Sequence, residues 1–119
     1  MTEEQLNAAV KEIEEFTLKY EDIWKKMSNV RKPEEKASFM VSKEEFVGDF
    51  NKIVNIRREN EDSKPILIAG GIAAGIIFKY SGQACLAAGT KDGLAQIGID
   101  GENVAELGKF YLQAEEAKK

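Results

Sequence analysis

The stretch from Pro65 to Ile99, PILIAGGIAAGIIFKYSGQACLAAGTKDGLAQIGI, decides the fold of this 119-residue chain. Up to Thr90 it carries a single charged side chain, Lys79, and glycine and alanine recur throughout. Three structures compete for such a sequence: a membrane span, a dinucleotide-binding turn and an antiparallel sheet. The turn chemistry of the stretch favours the sheet.

The length of the uncharged run argues against a membrane span. Pro65 to Phe78 is shorter than the roughly 18–20 residues that cross about 30 Å of hydrocarbon. Gly71 and Gly75 match the GxxxG motif of packed transmembrane helices. Extending the run, however, buries Lys79 and the polar residues that follow it. We therefore expect no membrane-spanning role.

The glycine spacing argues against a dinucleotide-binding turn. If Gly70 and Gly75 are the outer glycines of that motif, Ile72 takes the middle position, where glycine lets the backbone approach a pyrophosphate. The segment from Gly89 to Gly93 is not a Walker loop either, because no Ser or Thr follows its lysine. We expect no nucleotide-binding domain of the βαβ type.

Turn dipeptides recur every eleven residues, at Gly70-Gly71, Ser81-Gly82 and Asp92-Gly93, and Asp100-Gly101 follows them. Such pairs supply the positive φ angles of short hairpins. They predict a small Gly/Ala-rich antiparallel meander over about 65–99, with strands at about 65–69, 72–80, 83–89 and 94–99. Alanine and glycine are poor strand formers, so a helix that Pro65 opens at its first turn stays an alternative for 65–75.

The residues on either side predict helices. Thr2 with Gln5 has the pattern of a capping box, and apolar residues three and four apart predict a helix over about 3–30. Ser42 opens a similar helix over about 43–60, and Asp100 is a candidate N-cap for a helix over about 102–117. The predicted fold is α+β, a single domain over 1–119 whose last helix lies on one face of the sheet.

The composition excludes several functions. There are 21 acidic and 17 basic residues, so the net charge of −4 does not favour a nucleic-acid partner. The chain has no histidine, and Cys85 lies in an apolar setting without a base to activate it. We expect no enzyme, no metal site and no cofactor. The acidic N-terminus and lone cysteine predict a cytoplasmic protein.

The first helix is the main functional candidate. A helix over 3–30 is about 42 Å long, which exceeds the diameter of so small a domain, so we expect part of it to extend beyond the core. Its apolar stripe has coiled-coil-like spacing, although such stripes more often pack on their own domain. The hypothesis is a non-enzymatic protein that self-associates or docks a protein partner through this helix and the Gly/Ala-rich sheet. The predicted interface anchors are Phe16, Tyr20, Trp24 and Met27.

The alternative hypothesis is a small protein that binds or sequesters an anionic, nucleotide-like ligand. Successive glycine-rich turns would present free backbone amides to an anion, with basic side chains beside them. The candidate ligand-binding residues are Lys79, Tyr80, Lys91, Gly70, Gly71 and Gly82. The competing explanation is that small residues let a helix pack closely on the sheet. The acidic composition would also suit an inhibitor or accessory protein of a phage or mobile element.

Overall fold

A computed structural model describes residues 2–88, 98–99 and 101–119, and all five elements in these ranges are helices. They are α1 (Glu3–Ser28), α2 (Pro33–Phe39), α3 (Lys43–Glu59), α4 (Lys64–Ala88) and α5 (Gly101–Ala117). The described residues contain no strand. The predicted α+β class is therefore wrong, and the fold is a bundle of helices.

The capping signals in the sequence work as predicted where the structure describes them. The Gln5 amide donates to Thr2 Oγ1 at 3.1 Å and the Thr2 amide donates to Gln5 Oε1 at 2.9 Å, which completes the capping box of α1. The Glu45 amide donates to Ser42 Oγ at 3.1 Å at the start of α3. The helices α1, α3 and α5 begin and end within two residues of the predictions. The proposed N-cap Asp100 lies outside the described residues.

The predicted meander over 65–99, with its glycine-rich hairpins, is wrong because residues 65–88 belong to one helix, α4. Eleven residues make just over three turns of an α-helix, so a motif that recurs at this spacing returns to the same side. The dipeptides at residues 70 and 81 therefore mark one helical period, not two hairpins. Pro65 lies in the first turn of α4, which agrees with the alternative prediction of a helix over 65–75. The predicted strand over 94–99 falls almost entirely outside the described residues.

The short helix α2 links α1 to α3 and was not expected from the sequence. Pro33 is its first residue, a position where the missing N–H costs no hydrogen bond. Lys36 is buried, and its Nζ donates to the Met27 carbonyl at 2.9 Å and to Gln83 Oε1 at 2.6 Å. The ammonium thus lies at the carbonyl end of α1, where the helix dipole favours a positive charge, and ties α2 to α4.

The helix α4 is central and packs against the other four helices. It runs parallel to α1, since Pro65 shares a groove with Val10 and the Lys79 ammonium lies 4.7 Å from the centre of the Trp24 ring. It runs antiparallel to α3, since Tyr80 stacks on Phe46 near the start of that helix, with ring centroids 5.9 Å apart. The aromatic rings between these helices form the centre of the core.

Two glycines set the distance between α4 and α5. A Cβ atom added to Gly70 would lie 2.6 Å from Phe110 Cδ1, and one added to Gly71 would overlap the Ala114 side chain. Phe110 and Ala114 are themselves buried. The absence of a side chain at these two positions is therefore what lets the helices approach.

We expect Gly70→Ala to lower the free energy of unfolding by about 1–3 kcal/mol, because the buried Phe110 ring would have to shift away from the new methyl group. The matched control is Gly48→Ala in α3, where nothing lies within 4 Å of an added Cβ. That variant should gain about 0.5–1 kcal/mol from helix propensity. Urea denaturation measures both, and equal stabilisation of the two variants would contradict the close contact.

Candidate functional site

Three of the four predicted interface anchors lie in the chain's own core. Phe16, Tyr20 and Met27 are 6%, 0% and 0% exposed, and Trp24 is half-buried. The Tyr20 hydroxyl donates to Asp49 Oδ2 at 2.9 Å. Burial, and after it the Asp49 carboxylate, raise the pKa of Tyr20 above its ordinary value. Among these four residues, Trp24 alone presents part of its side chain to the surroundings.

The glycines of the predicted anion site present no free amides. Gly70, Gly71 and Gly82 lie inside α4, where a backbone amide donates to the carbonyl one turn earlier. Gly70 and Gly71 instead serve the contact with α5, while Gly82, about three turns further along the helix, is exposed.

The other predicted ligand residues are not brought together. Tyr80 is fully buried in the core, whereas Lys79 is exposed and lies over the Trp24 ring. Burial also raises the pKa of Tyr80 above its ordinary value. Lys91 lies outside the described residues.

A different surface stands out, which we call the outer face of α4. Its members follow one another at alternating spacings of four and three residues, the period of a helix seam. They are Ile68, Ile72, Gly75, Lys79, Gly82 and Leu86. Ile72 and Leu86 are 56% and 57% exposed, and Phe78 beside them is 54% exposed. A helix face in contact with water is ordinarily charged, yet this one has a single charge.

The inner side of α4 is the reason that this surface is easily overlooked in the sequence. Its buried residues recur at the same helical period and pack against the surrounding helices. They include Ile66, Ala69, Ala73, Ile77, Tyr80 and Ala84. Because both sides of α4 are apolar, no polar side marks which residues face outward. The 4-3 spacing of the outer face is present in the sequence, but it is a signal only if the segment is known to be helical.

Apolar side chains of α1 extend the outer face on one side. A groove of about 520 Å³ lies between α1 and α4. Its walls are Val10, Glu14, Thr17 and Leu18 from α1 and Pro65, Ile68, Ala69 and Ile72 from α4. On α5, Val104 and Tyr111 are 51% and 54% exposed and lie two turns apart on one side.

By length and composition, α4 is also the one described helix that could cross a membrane. Half of its most apolar 18-residue window is buried against the other helices. A core helix of a bundle has the same properties, so this finding does not by itself assign the helix to a bilayer.

A second notable cluster is the buried ion pair between α3 and α5. Arg57 is 1% exposed, and its Nη2 donates to Glu106 Oε2 while its Nη1 donates to Gln113 Oε1 at 2.7 Å. Arg58 Nη2 donates to the other Glu106 oxygen at 2.7 Å. The Arg57 guanidinium also lies 4.8 Å from the centre of the Phe110 ring. Arg57 and Glu106 are thus each held in place by several contacts.

This cluster is suited to holding helices together. Burial opposes ionisation of Glu106, but the hydrogen bond from Arg58 and the charges of Arg57, Arg58 and Lys109 outweigh it and keep the pKa of its carboxyl below the ordinary value. A carboxylate that stays ionised is a poor general acid near neutral pH. Among the residues that the structure describes, no serine, threonine or cysteine lines the adjoining groove of about 400 Å³.

Within the described ranges, no three carboxylate or thiol side chains come together in a way that could hold a metal ion. The outer face of α4 is therefore the feature that the structure offers as a site. Comparison of this chain with protein-family models, with curated proteins and with solved structures finds no match.

The depressed pKa of Glu106 predicts acid sensitivity. Its contribution to stability is present above the unfolded-state pKa of about 4.3 and is lost as the pH falls through the lower folded-state value. Glu106→Gln should lower the free energy of unfolding at pH 7 by about 3–5 kcal/mol, since it leaves Arg57 without its charge partner. It should also flatten the decline below pH 4.3.

The matched control is Glu116→Gln, which removes an exposed carboxylate from the same helix. Denaturant titrations of the three proteins between pH 7 and pH 3 provide the measurement. An unchanged pH slope in Glu106→Gln would show that other groups cause the acid sensitivity.

Proposed function

We propose that this chain is a non-enzymatic interaction protein that assembles with a second copy of itself through the outer face of α4. The observation that carries the proposal is the near absence of charge on a long, exposed helix face. Lys79 is its single charged member, and its ammonium lies over the Trp24 ring at the border with α1.

The structure supports a surface on α4 in preference to one on α1. The predicted anchors Phe16, Tyr20 and Met27 fill the core, so they are not available without unfolding α1. Ile72, Phe78 and Leu86 are more than half exposed, and no partner within the described residues covers them. Exposed apolar side chains that form one continuous surface are typical of interaction sites.

The size of the surface approaches the lower limit for a specific dimer. At 1.5 Å per residue the outer face from Ile68 to Leu86 is about 27 Å long, and together with the neighbouring groove on α1 the strip is roughly 20 Å wide. Such a strip covers roughly 540 Å², near the ~600 Å² that each partner buries in the smallest specific complexes.

We expect light scattering after size exclusion to give twice the chain mass of 13.2 kDa at tens of micromolar protein, and Ile72→Glu to return the mass to that of a single chain. The new carboxylate would have to be buried in the apolar contact. The matched control is Leu112→Glu, which changes a side chain that is 64% exposed on α5, about 100° around that helix from Tyr111. It should remain dimeric.

The remaining outcomes would give the outer face another partner or contradict the proposed self-association. A wild-type protein that stays monomeric and floats with anionic or neutral liposomes would assign the outer face to a bilayer. A monomer that does not float would contradict self-association. Equal loss of mass in Ile72→Glu and Leu112→Glu would place the contact elsewhere on the molecule.

A further inference from the structure

When two copies of α4 run in opposite directions, the large residues on the outer face of one copy lie opposite small residues on the other. Ile72 is followed by Gly75, and Gly82 is followed by Leu86, with Lys79 between the two glycines. Nothing lies within 4 Å of a Cβ added to Gly75 or Gly82, so each glycine is an open depression on the helix surface. Depressions of this kind accept side chains from a second helix.

A parallel arrangement of two such helices would be unfavourable. Each residue of a parallel seam meets the same residue of the other helix, so Lys79 would face Lys79 of the second copy. Gly75 and Gly82 would likewise face their own equivalents and leave unfilled space. A parallel pair would therefore combine charge repulsion with poor packing.

An antiparallel arrangement removes both problems. With the seam positions interleaved, Ile72 lies opposite Gly82 of the second copy, and Lys79 lies opposite Gly75 of the second copy. Ile68 then meets Leu86 of the second copy at each end. Every large side chain of the central layers faces a glycine, and the two lysines no longer oppose each other.

The charges at the border of the face agree with the antiparallel arrangement. Trp24 lies beside Lys79, and α1 runs parallel to α4. Glu21 precedes Trp24 by three residues, so it lies at about the level of Gly75. Lys79 opposite Gly75 of the second copy therefore has Glu21 of that copy within reach. In the single chain Glu21 pairs with Lys25 at 3.2 Å.

We infer that the second copy binds antiparallel, with Ile72 of each chain inserted at Gly82 of the other and Lys79 of each chain directed toward Glu21 of the other. This inference rests on the proposed function. It adds the orientation and the register, and both can fail while self-association itself holds.

The first test is a charge pair placed across the contact. Ile72→Glu and Gly82→Lys each disrupt the apolar seam, and we expect each variant alone to lose the dimer. In the double variant Ile72→Glu/Gly82→Lys, an antiparallel pair brings glutamate and lysine together twice, so the dimer mass should return. The two changed positions of one chain are about 15 Å apart along α4, too far to pair with each other.

The second test uses cysteines in a Cys85→Ser background, with Gly75→Cys in one protein and Lys79→Cys in another. Mild oxidation of the mixture should form a disulfide between the two different chains, whereas either protein alone should not crosslink. Both positions are exposed, so neither substitution disturbs the core.

The results separate the two proposals. If Ile72→Glu leaves the dimer intact, assembly at the outer face of α4 is contradicted. If the single variants dissociate, the double variant is not restored and each cysteine protein crosslinks to itself, self-association stands and the antiparallel register is overturned. Restored mass together with crosslinking only in the mixture supports the register.

Discussion

The burial of one side of α4 is the constraint on which the rest of the structure depends. This 25-residue helix has one charged residue after its first turn, so its apolar inner side must be removed from water by the surrounding helices. Gly70 and Gly71 let α5 approach closely enough for Phe110 to pack against α4. The same phenylalanine ring then supports the Arg57 guanidinium, which pairs with Glu106. Core packing and the buried ion pair are therefore parts of one connected contact.

The buried charges help to explain why the helices adopt one arrangement. Apolar side chains attract one another with little directional preference, whereas Arg57 needs Glu106 and Gln113 at defined positions on α5. Lys36 similarly needs the Met27 carbonyl of α1 and the Gln83 amide oxygen. An arrangement that misplaced α2 or α5 would leave a buried cation without its partners, which is costly.

The outer face of α4 differs from the buried charges in its effect on folding stability. Its exposed side chains contribute little to the fold of a single chain, because they remain in water. Replacement of Ile72 or Leu86 by a charged residue would cost the single chain little, yet the sequence keeps this row almost free of charge. The stability of a single chain thus does not account for the row, whereas the proposed contact with a second copy would.

The sequence by itself determined the helices whose ends and faces are marked locally. Thr2, Gln5 and Ser42 show where α1 and α3 begin, and the 4-3 spacing of apolar residues shows that these segments are helical. Neighbouring residues within a few positions suffice for such signals. The same spacing on α1 could not distinguish a core-facing stripe from a partner-facing one.

Tertiary structure alone decided the central helix and the site. Alanine favours a helix, isoleucine favours a strand and glycine disfavours both, so the local preferences within residues 65–88 conflict. Their conformation follows from the close packing that small residues allow against Phe110 and Ala114, and both lie about 40 positions away in the chain. Which side of α4 faces outward depends on the same long-range contacts. That is why Phe16, Tyr20 and Met27 became core, while Ile72 and Leu86 became surface.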